Sequence, residues 1–364
     1  DVDLGILVDG NLGNPPELCE KLLEENKLDF VGLGRPLIAD PEWPNKVRVG
    51  KVEDICPCIR CNQCINRSFL GQYSACAVNP ELGREHETPI LPATKVKKVL
   101  IVGGGVAGMM VAKLAADKGH NVTLVEKETK LGGHLLEAAA LPSKKETAAY
   151  LRWLNKQIQD SSVHVKMNTQ ATREFVEQFK PDAVIVCTGS VPWVPDVLGI
   201  NAPHVKIATA LLRGDISDKE VGHNVIIVGG GLVGCETALY LVNKGKSVTL
   251  TEMLPKIAAD VIYMTRFSLL AELEAKGINC MPGLKLKEVT DTGIVTEDPN
   301  GTTQHFAADS VVLATGLKPQ DKLYQELYHN LNGTVDEIYE IGDCVEPRKF
   351  IDAVQEAYLI AKKL

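Results

Sequence analysis

The sequence predicts an α/β fold that contains two related βαβ units, and an internal repeat is the main reason. The stretch VLIVGGGVAGMMVAKLAADKGHNVTLVEK, from Val99, aligns without a gap to VIIVGGGLVGCETALYLVNKGKSVTLTEM, from Val225. In each copy an apolar run ends in three glycines, a helical pattern follows, and a second apolar run ends in glutamate. At 364 residues, 45% of them hydrophobic, the chain can fill two or three domain cores.

The glycine spacing in both copies is typical of a loop that binds a dinucleotide. The first glycine allows a tight turn, the second lets the backbone approach a pyrophosphate, and the third brings helix close to sheet. These glycines are Gly103, Gly105 and Gly108 in the first copy and Gly229, Gly231 and Gly234 in the second. The phosphates would sit at a helix N-terminus, and Glu126 or Glu252 would accept hydrogen bonds from ribose hydroxyls.

A second repeated pair supports the same organisation. DAVIVCTGSVP, from Asp182, resembles DSVVLATGLKP, from Asp309, and each follows its glycine motif at a comparable distance. Near the end, YEIGDC presents Asp343 after a short apolar run, where a carboxylate could hold cofactor hydroxyls. Taken alone, that Gly-Asp pair indicates only a turn.

The charge balance argues against two classes of partner. The net charge is -8, and no basic run offsets it, so neither nucleic acid nor an anionic membrane is expected. No apolar run approaches the ~18 residues of a spanning helix, and the acidic N-terminus is unlike a secretory leader. We therefore expect a cytoplasmic protein with small-molecule substrates, and the sequence leaves a homo-oligomer open.

Five of the ten cysteines lie in CPCIRCNQCINRSFLGQYSAC, residues 56–76. In a reducing compartment clustered cysteines bind metal more often than they form disulfides. Cys58, Cys61 and Cys64, followed by Cys76, have the short-spaced triplet and remote fourth thiol that can close around a cubane iron–sulfur cluster. A structural zinc site and a redox dithiol also fit this spacing.

From Lys97 to Leu364 these pieces together resemble the flavoproteins with two dinucleotide domains of the glutathione reductase type. In that family the first unit holds FAD, and a second unit inserted into it holds NAD(P)H. The resemblance implies that FAD contacts Gly103, Gly105, Gly108, Glu126, Gly132, Gly133 and Asp343. It implies that NAD contacts Gly229, Gly231, Gly234 and Glu252. One departure is that no closely spaced cysteine pair follows Cys76, so electrons are expected to leave FAD by a route other than a disulfide.

The cysteine segment resembles the iron–sulfur branch of the old yellow enzymes, which includes 2,4-dienoyl-CoA reductase, enoate reductases and trimethylamine dehydrogenase. The resemblance rests on CIRCNQC and on CAVNP at Cys76. It implies a [4Fe-4S] cluster on Cys58, Cys61, Cys64 and Cys76, with Cys56 outside the ligand set. A one-electron cluster beside a two-electron flavin would form a relay.

Upstream, DFVGLGRPLIADPEW, from Asp29, resembles the last strand and phosphate loop of that family's FMN-binding TIM barrel, and GILVDGN, from Gly5, resembles the strand before it. The resemblance implies that Gly34 and Arg35 hold the FMN phosphate, although alone they indicate only a strand-to-helix turn. A complete barrel takes ~250 residues, and fewer than sixty precede the cysteines. We therefore expect a chain that starts inside the barrel of a longer enzyme, with its catalytic residues unassigned.

The predicted domains are a barrel remnant (1–55), an iron–sulfur segment (56–96), an FAD domain (97–218 and 317–364) and an NAD(P)H domain (219–316). The implied activity passes electrons from NADH through FAD and the cluster to FMN, which reduces an activated C=C bond. NADH is expected over NADPH because Glu252 would repel a 2′-phosphate. The alternatives are an amine-dehydrogenase-like member with ADP in the FAD site and a non-catalytic nucleotide-binding module with structural zinc.

Overall fold

A computed structural model describes residues 7–9, 16–85, 90–331 and 333–364. The N-terminal elements are β1 (Leu7–Asp9), α1 (Pro16–Glu24), β2 (Phe30–Gly32), α2 (Arg35–Ala39), α3 (Trp43–Arg48) and α4 (Gln63–Phe69). β1 and β2, which precede and follow α1 in the sequence, pair in parallel, as the strands of a βαβ unit do. Of the predicted strand GILVDGN, residues 5–6 and 10–11 lie outside the described residues. Because one parallel pair is common to many α/β folds, the TIM barrel stays a prediction.

The first repeated unit follows, and its two central strands carry continuous buried apolar runs. Its elements are β3 (Lys98–Val102), α5 (Val106–Asp117), β4 (Asn121–Val125), α6 (Leu135–Ala138), α7 (Lys145–Gln159), β5 (His164–Lys166), α8 (Arg173–Phe179), β6 (Ala183–Val186) and β7 (Ser190–Pro192). The side chains of 99–101 and 183–186 are fully buried. Parallel strands covered on both faces require such continuous apolar runs, and the predicted β3–α5–β4 unit is confirmed.

The second repeated unit contains the same β–α–β–α–β core as the first. Its elements are β8 (Val205–Ile207), α9 (Ala208–Arg213), β9 (Asn224–Val228), α10 (Leu232–Asn243), β10 (Ser247–Glu252), α11 (Tyr263–Ala275), β11 (Asn279–Pro282), β12 (Lys285–Thr290), β13 (Gly293–Glu297), β14 (Thr303–Ala307) and β15 (Ser310–Leu313). β12, β13 and β14 form an antiparallel sheet of their own. The predicted β9–α10–β10 unit is therefore confirmed.

The chain then returns to the first unit. The last elements are β16 (Leu317–Pro319), α12 (Lys322–Leu331), β17 (Glu337–Glu340) and α13 (Phe350–Lys363). β16 pairs with β7 in an antiparallel ribbon, and β17 joins the first sheet beside β6. The two five-stranded parallel sheets have matching orders, β17-β6-β3-β4-β5 and β8-β15-β9-β10-β11. The second unit is thus inserted into the first, and both are Rossmann-like.

The strand pairing moves one predicted domain boundary. β8 pairs in parallel with β15, so β8 and the following α9 lie on the side of the second unit. The predicted boundary after residue 218 falls inside that unit. The sequence of β8, VKI, is too short and too polar in its middle to reveal which sheet it joins.

The cysteine segment packs on the first unit. Cys56, Cys76 and Val78 belong to the same buried apolar core as Ile101 and Val111. This packing places the predicted cluster residues directly against the first dinucleotide unit. Within the described ranges, the helices are all too short or too polar to cross a bilayer.

Candidate functional site

Two of the three glycines in the first loop are required by the packing of the protein itself, and the third is not. A Cβ on Gly103 would lie 2.2 Å from the Cys187 carbonyl oxygen, and one on Gly108 would lie 1.8 Å from the Gly103 oxygen. A Cβ on Gly105 would meet no atom within 4 Å, and its φ of −76° suits any residue. Gly105 therefore leaves open space at the N-terminus of α5, which fits the close approach of a pyrophosphate.

The two predicted glutamates have matching environments. Glu126 accepts backbone N–H bonds from Gly104 at 2.6 Å and from Glu128 at 2.8 Å. Glu252 accepts equivalent bonds from Gly230 at 2.6 Å and from Leu254 at 2.7 Å. Both carboxylates are buried, and a carboxylate has about four lone-pair sites. Each therefore has acceptor capacity left for ribose hydroxyls while it braces its glycine loop.

The remaining residues predicted for FAD converge on the first glycine loop. The Gly132 N–H donates to the Gly104 oxygen at 2.8 Å, and a Cβ on Gly133 would lie 3.1 Å from the Gly105 Cα. A Cβ on Gly342 would lie 3.0 Å from the Ala107 Cβ, so the turn before Asp343 reaches the first turn of α5. The structure thus brings the seven positions together around the first glycine loop, although Gly103 and Asp343 are 240 residues apart in the sequence.

A partly buried polar network that the sequence did not reveal extends from Asp343 towards the second unit. Ser190 Oγ lies 3.2 Å from Asp343 Oδ2 and 3.1 Å from His134 Nε2, while His134 Nδ1 lies 2.8 Å from Glu137 Oε2. Glu137 also pairs with Arg213, on α9. Burial opposes the charged form of His134, but the Glu137 carboxylate, Asp343 and the Ser190 carbonyl together raise its pKa above 6.5.

The N-terminus of α10 differs from that of α5, because a carboxylate caps it. Asp260 Oδ1 accepts the Leu232 N–H at 3.1 Å and would lie 3.4 Å from a Cβ on Gly231. Lys349, next to α13, holds the other oxygen of Asp260 at 3.0 Å. A pyrophosphate that binds this helix end would share it with Asp260 or displace it.

One more ion pair crosses between the units. Glu236, on α10, is buried and pairs with Lys144, which precedes α7. Burial raises the pKa of Glu236 above 4.5, and the charge of Lys144 opposes that rise. The partners are too far apart in sequence for any local pattern to have predicted the pair.

The cysteines predicted to bind metal lie close enough to repel one another's charge. Burial is the main reason that the pKa of Cys61 rises to about 12, and the thiols of Cys76, Cys58 and Cys64 raise it further. Burial, with Cys58 and Cys64, likewise raises the pKa of Cys76. A bound cation reverses this repulsion, because it removes the proton from each coordinating thiol. The donor set therefore fits an iron–sulfur cluster.

Backbone amides near three of these sulfurs lower the pKa of the thiols, against the effect of burial. The pairs, sulfur first, are Cys58 with Arg60, Cys61 with Gln63, and Cys76 with Val78 and Asn79. The loop has left-handed backbone at Arg60 (φ 51°) and Asn62 (φ 57°), on either side of Cys61. Hydrogen bonds to sulfur are a principal means by which proteins tune iron–sulfur clusters.

Cys56 has a different environment from the other four. Its sulfur lies 3.9 Å from the Val78 carbonyl oxygen, to which the thiol donates, and its backbone N–H donates to Asp40 Oδ2 at 2.8 Å. Burial raises the pKa of Cys56 well above 9.0. The exclusion of Cys56 from the ligand set stays a prediction. Across the described part of the chain, no three His, Cys, Asp or Glu side chains converge on a single-ion site.

Two arginines tie the cysteine loop to its surroundings. Arg35 Nη1, predicted to hold an FMN phosphate, donates to Asn62 Oδ1 at 2.6 Å. Arg60 Nη2 lies 2.6 Å from Glu146 Oε1, on α7 of the first unit. A Cβ on Gly34 would meet nothing within 4 Å, so the backbone beside Arg35 is open. The FMN assignment stays a prediction, but Arg35 has a second partner that the sequence did not suggest.

Comparison with known proteins agrees with this arrangement. A family model described as pyridine nucleotide-disulphide oxidoreductase matches residues 97–358. The chain is 39% identical over 352 residues to an NADH oxidase of Thermoanaerobacter brockii, covering 95% of this chain and 53% of the relative. It is 36% identical over 368 residues to a cinnamate reductase of Clostridium sporogenes, covering 100% of this chain and 54% of the relative.

A solved structure of a 2-naphthoyl-CoA reductase in complex with 2-naphthoyl-CoA superposes with a TM-score of 0.94 at 32% identity. The alignment covers 100% of this chain and 54% of that one. The chain thus spans about half the length of the relatives it matches. The relatives support a flavin-dependent oxidoreductase.

Proposed function

This chain belongs to the pyridine nucleotide-disulphide oxidoreductase family, and on that premise we propose that it carries electrons from NADH, through FAD, to a [4Fe-4S] cluster. The first dinucleotide unit would hold FAD and the second would hold NADH. In the longer enzyme the cluster would supply FMN on a barrel, for the reduction of an activated C=C bond of the enoate or enoyl-CoA class. Arg35 and Gly34 would hold the FMN phosphate.

The observation that carries this proposal is the packing of the cysteine segment on the first unit. The segment shares its buried core with α5, whose N-terminus leaves the space at Gly105. When bound, FAD accepts a hydride from a nicotinamide and an iron–sulfur cluster transfers electrons singly. The chain's own residues would bind and orient both groups and exclude water between them.

The flavin unit beside the cysteine segment supports a cluster over zinc. Zinc is not redox-active, so it could not take electrons from a flavin, whereas an iron–sulfur cluster can. The thiols of Cys58, Cys61, Cys64 and Cys76 lie close enough for their charges to repel one another, and their segment shares a buried core with the first dinucleotide unit.

The second unit supports NADH input over the amine-dehydrogenase alternative. Other relatives include an N,N-dimethylglycine/sarcosine dehydrogenase of Chromohalobacter salexigens, 28% identical to this chain. Here, however, the second glycine motif is intact, and Glu252 braces Gly230 as Glu126 braces Gly104. A unit that keeps this geometry is suited to a nucleotide donor.

The test is anaerobic purification of the chain, with flavin identification and counts of iron, acid-labile sulfide and zinc. We expect about one FAD and four irons per chain, and bleaching of the flavin and cluster bands by NADH. Ferricyanide should then be reduced at the expense of NADH. A colourless protein with one zinc would refute the proposal, and ADP in place of FAD would favour the amine-dehydrogenase alternative.

A further inference from the structure

A tyrosine hydroxyl beside the cysteine segment is buried without a protein partner. Tyr150 lies on α7 and is 0% exposed. Its hydroxyl has no hydrogen-bond partner among the described residues. Buried polar atoms are normally paired, because leaving one unpaired costs its desolvation free energy. The lack of a protein partner therefore points to a bound group as the hydrogen-bond partner of this hydroxyl.

The surroundings of Tyr150 point to the thiols. Tyr150 shares a buried core with Cys56 and Cys76, and its hydroxyl interacts electrostatically with both thiols. The ring stacks on Trp153 with centroids 5.7 Å apart, and Trp153 Nε1 donates to the Asp54 carbonyl at 3.1 Å. These contacts therefore fix the ring relative to Asp54, which lies just before the cysteine segment.

The hydroxyl is suited to donate a hydrogen bond. A tyrosine hydroxyl carries its proton at neutral pH and can donate one hydrogen bond. Of the two neighbouring sulfurs, Cys56 is a thiol that donates to Val78, whereas Cys76 is a predicted ligand whose pKa the backbone amides of Val78 and Asn79 lower. Cys76 is thus the sulfur on which negative charge would develop.

We propose that the Tyr150 hydroxyl donates a hydrogen bond to a sulfur of the cluster that Cys76 helps to hold, as a positioning residue that raises the cluster's reduction potential. The inference rests on the proposed function, because it requires the cluster. A hydrogen bond to sulfur stabilises the more negative, reduced cluster relative to the oxidised one. The partner that the hydroxyl lacks in the protein would then be supplied by the cluster.

The test is Tyr150→Phe, which removes only the oxygen, in the full chain with its cluster. The matched control is Tyr358→Phe, because Tyr358 is also buried but lies on α13. Redox titration followed by electron paramagnetic resonance should give a lower midpoint potential for Tyr150→Phe than for wild type, with no shift for the control. Thermal unfolding of the iron-free proteins should show that Tyr150→Phe is as stable as wild type, or more stable, since it loses an unpaired group.

The outcomes separate this inference from the proposed function. An unchanged potential and spectrum in Tyr150→Phe, with iron and sulfide retained, would overturn the inference alone. So would a marked loss of stability of the iron-free variant, which would mean that the hydroxyl has a partner within the protein. Loss of iron from a variant whose iron-free form is as stable as wild type would support it. A wild-type chain without iron would refute the proposed function, and the inference with it.

Discussion

The glycines of the first dinucleotide loop allow folding to be separated from binding. Gly105→Ala would place a methyl group where no atom lies within 4 Å, on backbone with φ −76° and ψ −171° that alanine adopts without strain. Replacing glycine by alanine raises the free energy of unfolding by about 0.4–1 kcal/mol, because alanine restricts the unfolded chain. It is also a poorer N-cap than glycine, by a comparable amount. We expect these effects to offset, leaving the free energy of unfolding of the flavin-free protein within about 1 kcal/mol of wild type.

The same methyl group should weaken FAD binding strongly. It would occupy the space that the pyrophosphate needs at the N-terminus of α5, and at least one hydrogen bond to a charged group would be lost. Such a bond contributes about 1.5–3 kcal/mol, which corresponds to roughly a 10- to 150-fold weaker affinity. Titration of the flavin-free protein with FAD, followed by the quenching of flavin fluorescence, measures the effect.

Gly108→Ala is the control for folding. Its Cβ would lie 1.8 Å from the Gly103 carbonyl oxygen, a backbone atom that cannot rotate away. We expect a loss of about 3 kcal/mol or more in the free energy of unfolding, measured by urea denaturation. If Gly105→Ala bound FAD as tightly as wild type while remaining folded, the pyrophosphate would not lie at this helix end, and the reasoning about the glycine would be wrong.

Three further predictions concern the other parts of the site. Cys56→Ser should keep four irons per chain, whereas Cys58→Ser should lose the cluster; the reverse result in iron and sulfide analysis would overturn the ligand assignment. NADH should have the higher specificity constant in steady-state ferricyanide reduction, because Glu252 repels a 2′-phosphate, and a preference for NADPH would contradict this. Lys144→Met should cost about 2 kcal/mol at pH 8, because buried Glu236 loses its partner. Since burial raises the pKa of Glu236 above 4.5, the cost should shrink as pH falls towards that value and the acid takes up a proton; denaturation curves whose difference is the same at pH 5 and pH 8 would refute it.

The sequence predicted the two nucleotide units because their structure depends on local spacing. A glycine triplet between a strand and a helix, with glutamate at the end of the next strand, needs no distant partner, and both copies fold as expected. Even the bond from Gly104 to Glu126 spans one βαβ unit and recurs from Gly230 to Glu252. Because the motif occurs twice, each copy also supported the assignment of the other.

The contacts between units could not be predicted, because their partners lie far apart in the chain. The pair of Lys144 with Glu236 and the pair of Asp260 with Lys349 join residues that no periodicity relates. The edge strand β8 was misassigned for a similar reason, since its three residues carry no sign of the sheet that they join. Arg35 was read from its loop alone, whereas its bond to Asn62 depends on the packing of the cysteine segment.

The family to which the chain belongs is named for disulphide chemistry, yet the cysteines after Cys76 are not suited to it. Burial raises the pKa of all four above 9.0, and protonated thiols are poor nucleophiles. These cysteines are Cys187, Cys235, Cys280 and Cys344. The segment that ends at Cys76 instead supplies neighbouring thiols, with backbone amides near three of their sulfurs, packed on the core of the first unit. In the proposed function, an electron acceptor at that position would replace the dithiol, and this would explain why a fold built for two-electron exchange carries a loop suited to one-electron transfer.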